Sequence, residues 1–185
     1  MRRLLDAGME VFGERGFHSA RVDDIVRVAH TSHGTFYLYF ANKEDLLRAL
    51  ATECAQELDD LATRLGPVSA DEAGYVTLRA FLDEFFATYE RYGPVIRAWM
   101  EGHVDDKEVS RLGVRAFTDI ATALGRRMRE AGAPGDNASI SALMALLERL
   151  AYFRTSRPLE LAPAAVSETV ARTVHRGFFT ATTTA

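Results

Sequence analysis

The chain predicts an all-α fold, a three-helix helix-turn-helix segment followed by a larger helical body, with about nine helices in total. Three observations carry that prediction. Apolar residues recur every three to four positions almost to the C-terminus, with no stretch of strand-like alternation. Gly66-Pro67, Gly93-Pro94 and Ala131-Gly-Ala-Pro-Gly135 cut this pattern into helix-sized pieces. Two short patterns, 22–29 and 33–40, are separated by only two or three residues, too few for anything but a tight helix–helix turn.

The first pattern is Leu5, Met9 and Phe12, predicting a helix from about Arg3 to Arg15, with Gly16 as a left-handed cap and Phe17 as the hydrophobic residue just beyond it. Val22, Ile25, Val26 and Ala29 give a second helix of about two turns. Thr31 or Ser32 can cap the third, which buries Phe36 and Phe40 and leaves His33, Gly34, Thr35 and Tyr37 off the buried face. Asn42 is the next cap. Leu46, Leu47, Leu50, Cys54, Leu58, Leu61 and Leu65 then mark a fourth helix over roughly 43–65, about 35 Å long at 1.5 Å per residue. Residues 66–74 read as a loop.

The fifth helix carries Leu78, Phe81, Leu82, Phe85, Phe86 and Tyr89 and stops at Gly93-Pro94. A short sixth follows from Val95 to about Val104, and a seventh from about Asp106 to Glu130. The eighth holds Ile140, Leu143, Met144, Leu147, Leu150 and Ala151, and the ninth, after Pro163, holds Val166, Val170, Val174 and Phe178. The domain boundary is expected at 48/49, giving 1–48 and 49–185.

With 48% hydrophobic and 26% charged residues the chain is an ordinary globular one. Its net charge of -4 argues against a protein that coats nucleic acid non-specifically. Residues 1–50 carry seven Lys/Arg against seven Asp/Glu, so the acidic excess lies wholly beyond them. The single cysteine, Cys54, cannot form an intramolecular disulfide, which fits a reducing, cytoplasmic setting. No apolar run approaches the length of a membrane span, so no membrane partner is expected.

Read together, Phe17, Val22-Asp-Asp-Ile25, Ala29, Ser32, Gly34-Thr35-Phe36-Tyr37, Tyr39-Phe40 and Lys43-Glu44-Asp45-Leu46-Leu47 resemble the N-terminal DNA-binding domain of the TetR family of bacterial transcription regulators. The resemblance covers about residues 5–50. It implies base contacts from His33, Thr35 and Tyr37 and phosphate contacts from Ser32, Tyr39 and Lys43. Gly34 would let the helix backbone approach the duplex closely. Arg21 and Arg27, at the ends of the second helix, are candidate phosphate contacts by position and charge. Lys43 stands in the first turn of a helix, against the dipole, a placement that a bound phosphate would justify. His30 stands where the family usually has glycine, so it must adopt a left-handed conformation or re-shape the turn, and an altered turn is expected there. Arg21 replaces a common Thr or Ser cap.

For the larger domain the family implies a homodimer built on helices 8 and 9, and so a palindromic operator in double-stranded DNA. Leu146 and Phe153, off the main apolar row of helix 8, support that expectation. Phe85, Phe86, Tyr89, Trp99, Met100, His103, Phe117, Met144 and Tyr152 are candidates to line a cavity for a small, largely apolar effector. Binding there is expected to move helix 4 through helices 6 and 7, change the spacing of the two recognition helices and release DNA, the usual habit of a repressor.

An enzyme is not expected. There is no Gly-x-Ser-x-Gly, no phosphate loop and no cofactor motif, and His103-Val-Asp105-Asp106 lacks a second cluster of metal ligands. The alternative is a helical protein-interaction module without DNA binding, in which Gly34, Tyr37, Tyr39 and Lys43 would lack a purpose.

Overall fold

Helix starts and stops follow local capping chemistry. The computed structural model describes residues 1–100, 107–156 and 163–180, and all its regular elements are helices: α1 Arg2–Ser19, α2 Val22–Val28, α3 His33–Tyr39, α4 Lys43–Arg64, α5 Glu72–Arg91, α6 Gly93–Met100, α7 Lys107–Glu130, α8 Asn137–Ser156 and α9 Pro163–Phe178. The all-α class expected from periodicity is the observed one.

The first helix breaks where the glycine predicts. Gly16 has φ 73° and ψ 155°, a positive φ that glycine adopts without a Cβ penalty, and one more turn follows to Ser19. At α3, the Ser32 hydroxyl accepts from Thr35 N at 3.2 Å. At α4, Asn42 Oδ1 accepts from Asp45 N at 2.8 Å, while Asp45 Oδ2 accepts from Ala41 N at 3.1 Å, a reciprocal cap. The loop expected through residue 74 ends earlier: Asp71 Oδ1 accepts from Gly74 N at 3.1 Å, so the helix begins at Glu72. Glycine is required at 74, because a Cβ there would lie 1.8 Å from Ser69 O.

The described residues divide into two units, Met1–Gln56 with Tyr92–Arg115, and Glu57–Arg91 with Ala116–Ala185; α4 and α7 contribute residues to each. In the first unit α1 packs on α2 and α6, and α2 packs on α3. Leu5, Phe12, Ile25, Phe36, Leu46 and Ile96 form its core, all at most 2% exposed. Burial of each stabilises by roughly 1.5–3 kcal/mol. In the second unit α5 packs on α8 and α9, around Leu78, Leu82, Phe85, Leu147 and Val174, all fully buried. His175 is buried there, its Nε2 2.8 Å from Ser69 O, which ties α9 to the segment before α5.

Candidate nucleic-acid interface

The turn between α2 and α3 shows how His30 is accommodated. Thr31 N donates to Val26 O at 2.9 Å and His30 N to Arg27 O at 3.2 Å, the paired bonds of a Schellman cap. His30 occupies its left-handed position with φ 49°. The altered turn expected here is not what the chain adopts: the ordinary cap is kept and His30 takes the left-handed backbone. At the end of α7 the same pair of bonds, Ala133 N to Met128 O and Gly132 N to Arg129 O, surrounds a glycine with φ 76°.

From this turn α3 projects with Phe36 at 0% and Phe40 at 5% exposure beneath it. Those two rings lie 5.8 Å apart, and Tyr37 meets Phe36 edge-on at 5.4 Å. The opposite side is open: Tyr37 is 58% exposed, Leu38 75% and Tyr39 46%. Ser32 and Thr35 share a hydroxyl–hydroxyl bond of 3.1 Å, so both are partly committed to capping. His33 is exposed but tied back to α2, its Nε2 2.5 Å from Asp23 Oδ1. The helix therefore offers one aromatic hydroxyl on each flank, a crest of Gly34 and Leu38, and a histidine held by a carboxylate.

The cations are less free than their sequence positions imply. Arg27 pairs with the buried carboxylate of Asp24, which Arg15 also approaches at 3.3 Å. Arg21 is exposed at the N-cap of α2 and makes no side-chain cap, as expected from the loss of Thr or Ser there. Lys43 differs most from expectation. Its ammonium donates to the carbonyls of Phe17, His18 and Ala20, each at 3.0 Å, and lies 4.8 Å from the centre of the Phe17 ring. A cation that opposes its own helix dipole is here neutralising the carbonyl end of α1. The placement has a cause within the protein, and any phosphate would compete with three acceptors already satisfied.

Sequence reasoning passed over two residues of this surface. Asp24, a buried acid, could be suspected only from Arg27 one turn on in the same helix and Arg15 on the neighbouring one. Leu38 reads as core by type, yet its register two residues from Phe36 puts it outside.

The candidate effector residues behave differently. Phe85, Phe86, Tyr89 and Met144 are buried in the second unit, where Phe85 touches Phe86 at 5.6 Å and Tyr89 at 5.9 Å. Phe117 is half-buried there, and Tyr152 is 37% exposed with Arg149 5.4 Å from its ring. Trp99 is half-buried in the first unit. His103, with Asp105 and Asp106, and the Met100 side chain lie outside the described residues. A cleft of about 260 Å³ in the first unit is lined instead by α1 and α6, including Arg15, Phe17, Pro94 and Arg97. Among the described residues no group of three or more His, Cys, Asp or Glu could hold a metal ion, and no helix is long and apolar enough to cross a membrane.

A capped two-helix turn with an open second helix, braced by a third, defines a helix-turn-helix domain. Residues 4–50 of the chain match the model of the bacterial regulatory proteins of the tetR family. The HTH-type transcriptional regulator YvdT of Bacillus subtilis (strain 168) is 34% identical over 110 residues, 59% of this chain and 55% of that protein. The chain thus spans about half the length of this curated relative. Among solved structures, a bacterial regulatory protein of the tetR family from Rhodococcus RHA1 gives a TM-score of 0.74 at 17% identity, over 98% of this chain and 97% of that one. The transcriptional regulator FadR from Bacillus subtilis, solved in complex with stearoyl-CoA, gives 0.65 at 18% identity, over 95% of this chain and 98% of its own. At these identities the likeness is one of fold.

Proposed function

We propose that this chain is a sequence-specific DNA-binding transcriptional regulator, a repressor released from its operator by a small, largely apolar molecule. The observation that carries the reading is α3, a helix braced from below by Phe36 and Phe40 and open above from His33 to Tyr39. Thr35, Tyr37 and His33 read bases; Ser32, Tyr39, Arg21 and Arg27 hold phosphates, and Gly34 admits the backbone. Lys43 reaches phosphate only by exchanging a carbonyl. Residues 1–48 form the DNA-binding domain and 49–185 the effector and dimerisation domain, acting in the cytoplasm without catalysis.

The protein works as a homodimer through α8 and α9, and its operator is palindromic. Leu146, Leu150 and Phe153 support this: they stay partly open at spacings of four and three along α8, a continuous apolar stripe. The effector occupies the aromatic part of the larger domain, and FadR's co-crystallised stearoyl-CoA makes acyl-CoA esters the first class to screen.

The test is selection of DNA from a random pool, then titration of the selected duplex at several salt concentrations. Binding should be palindrome-selective, weaken steeply with salt, and fall at least about tenfold in Tyr37→Ala, a residue 58% exposed on the open side of α3. No selected sequence for the wild-type protein at moderate salt would overturn the reading. An effector should both raise the melting temperature and release the duplex.

A further inference from the structure

Leu38 is the most exposed large hydrophobic side chain among the described residues, at 75%. Helix geometry explains why. Successive residues turn by about 100°, so Leu38 lies about 200° around from Phe36, and Gly34 about 200° the other way. Both therefore fall within about 20° of the direction opposite the buried ring. Thr35 and Tyr37, the base contacts expected from the motif, lie about 100° to either side and flank that crest. The residues that stand farthest from the protein core on α3 are Gly34 and Leu38.

Neither is explained by the fold. A Cβ on Gly34 would have Ser32 Oγ as its nearest neighbour, at an ordinary 3.8 Å, and Gly34 has no positive φ. Glycine in a helix destabilises by about 1 kcal/mol relative to alanine, so the reason for it lies outside the chain. Leu38 carries an isobutyl group into solvent, with no hydrogen-bonding atom to offer a phosphate or a base edge. In the major groove the group that rewards such a side chain is the C5-methyl of thymine.

We infer that Leu38 is a specificity-determining residue, packing its side chain on the C5-methyl of one thymine per half-site while Gly34 lets the helix come close enough for that contact. The inference rests on the DNA-binding reading and goes beyond it, assigning the deepest position to an apolar residue rather than to His33, Thr35 or Tyr37.

Uracil substitution tests it, since uracil differs from thymine only by the missing methyl. With the full chain and its selected duplex, each thymine is replaced in turn by uracil and the dissociation constant measured. One thymine per half-site should show a loss of about three- to tenfold, the range expected for one methyl contact. In Leu38→Ala that single penalty should shrink to within about twofold while penalties at other positions persist. The variant's melting temperature should stay close to wild type, because the residue is 75% exposed. Two results overturn the inference while leaving DNA recognition intact: wild-type binding indifferent to every uracil, or a penalty that survives unchanged in Leu38→Ala. Failure to select any DNA sequence overturns both readings together.

Discussion

The ammonium of Lys43 lies 3.0 Å from the carbonyl oxygen of Phe17 and 4.8 Å from the centre of the same residue's ring. One side chain in the first turn of α4 thereby holds the last turn of α1, which begins at the break at Gly16. The positive end of α4 would repel this lysine if the negative end of α1 did not face it. Three carbonyls and one aromatic face form a site for a compact point charge with three donors.

Lys43→Met keeps the hydrocarbon stem and removes the donors. Charge-assisted hydrogen bonds contribute about 1.5–3 kcal/mol, so urea denaturation should show a loss of about 2 kcal/mol, with Lys43→Arg in between because a planar fork cannot meet three convergent oxygens. A Lys43→Met protein as stable as wild type but unable to hold DNA would return this residue to the phosphate contacts.

The same lysine marks how far the sequence is legible. Helix order, the break at Gly16, the caps at Ser32 and Asn42 and the buried pair Phe36 and Phe40 all follow from local rules of period and capping. Lys43 does not, because its partner Phe17 is 26 residues away, and Asp24 does so only in part, because beside Arg27 on its own helix it meets Arg15 on a neighbouring one. A sequence displays a cation's position on its own helix and hides the dipole end that tertiary packing brings up to it. Leu38 was hidden for another reason: residue type says core, and only the angle to Phe36 says otherwise.

His30 holds the left-handed position of its cap at φ 49°, where Gly132 serves the equivalent cap of α7 at φ 76°. A side chain in that region costs about 1–2 kcal/mol. His30→Gly should therefore raise stability by roughly 1 kcal/mol despite the entropy glycine adds to the unfolded chain. Thermal melts of the two proteins check this, and a destabilised variant would mean that the His30 ring makes compensating contacts.

Asp23 holds His33 through a 2.5 Å contact and adds a negative charge beside the proposed DNA surface. Asp23→Ala frees the imidazole and removes repulsion from phosphates. Affinity for the selected duplex should rise about three- to tenfold at low salt and less at high salt. Weaker binding in titrations of Asp23→Ala would instead assign Asp23 a positioning role, presenting His33 in its reading orientation.

Glu148 of α8 is half-buried, and burial raises its carboxyl above the ordinary 4.5. The folded state then keeps its proton to higher pH than the unfolded state does. Stability is lost as pH rises from the unfolded value through the folded one and stays lower at neutral pH. Glu148→Gln removes this penalty, so its melting temperature should exceed wild type at pH 7 by roughly 2 °C, the difference closing as pH falls below the carboxylate range. An advantage independent of pH would point to packing rather than charge.

Gly34→Ala separates folding from recognition. The added methyl meets only Ser32 Oγ at 3.8 Å, and replacing a helical glycine by alanine should stabilise by about 0.5–1 kcal/mol. Against DNA the same methyl occupies the notch beside Leu38 where the helix must approach most closely. Affinity should fall at least about tenfold, since a rigid groove wall cannot yield as a flexible side chain can. A more stable protein that binds its operator worse is the expected pair of results, read by denaturation and by duplex titration on the same preparation. Unchanged affinity would place the crest of α3 away from the groove floor and shift recognition to the Tyr37 flank.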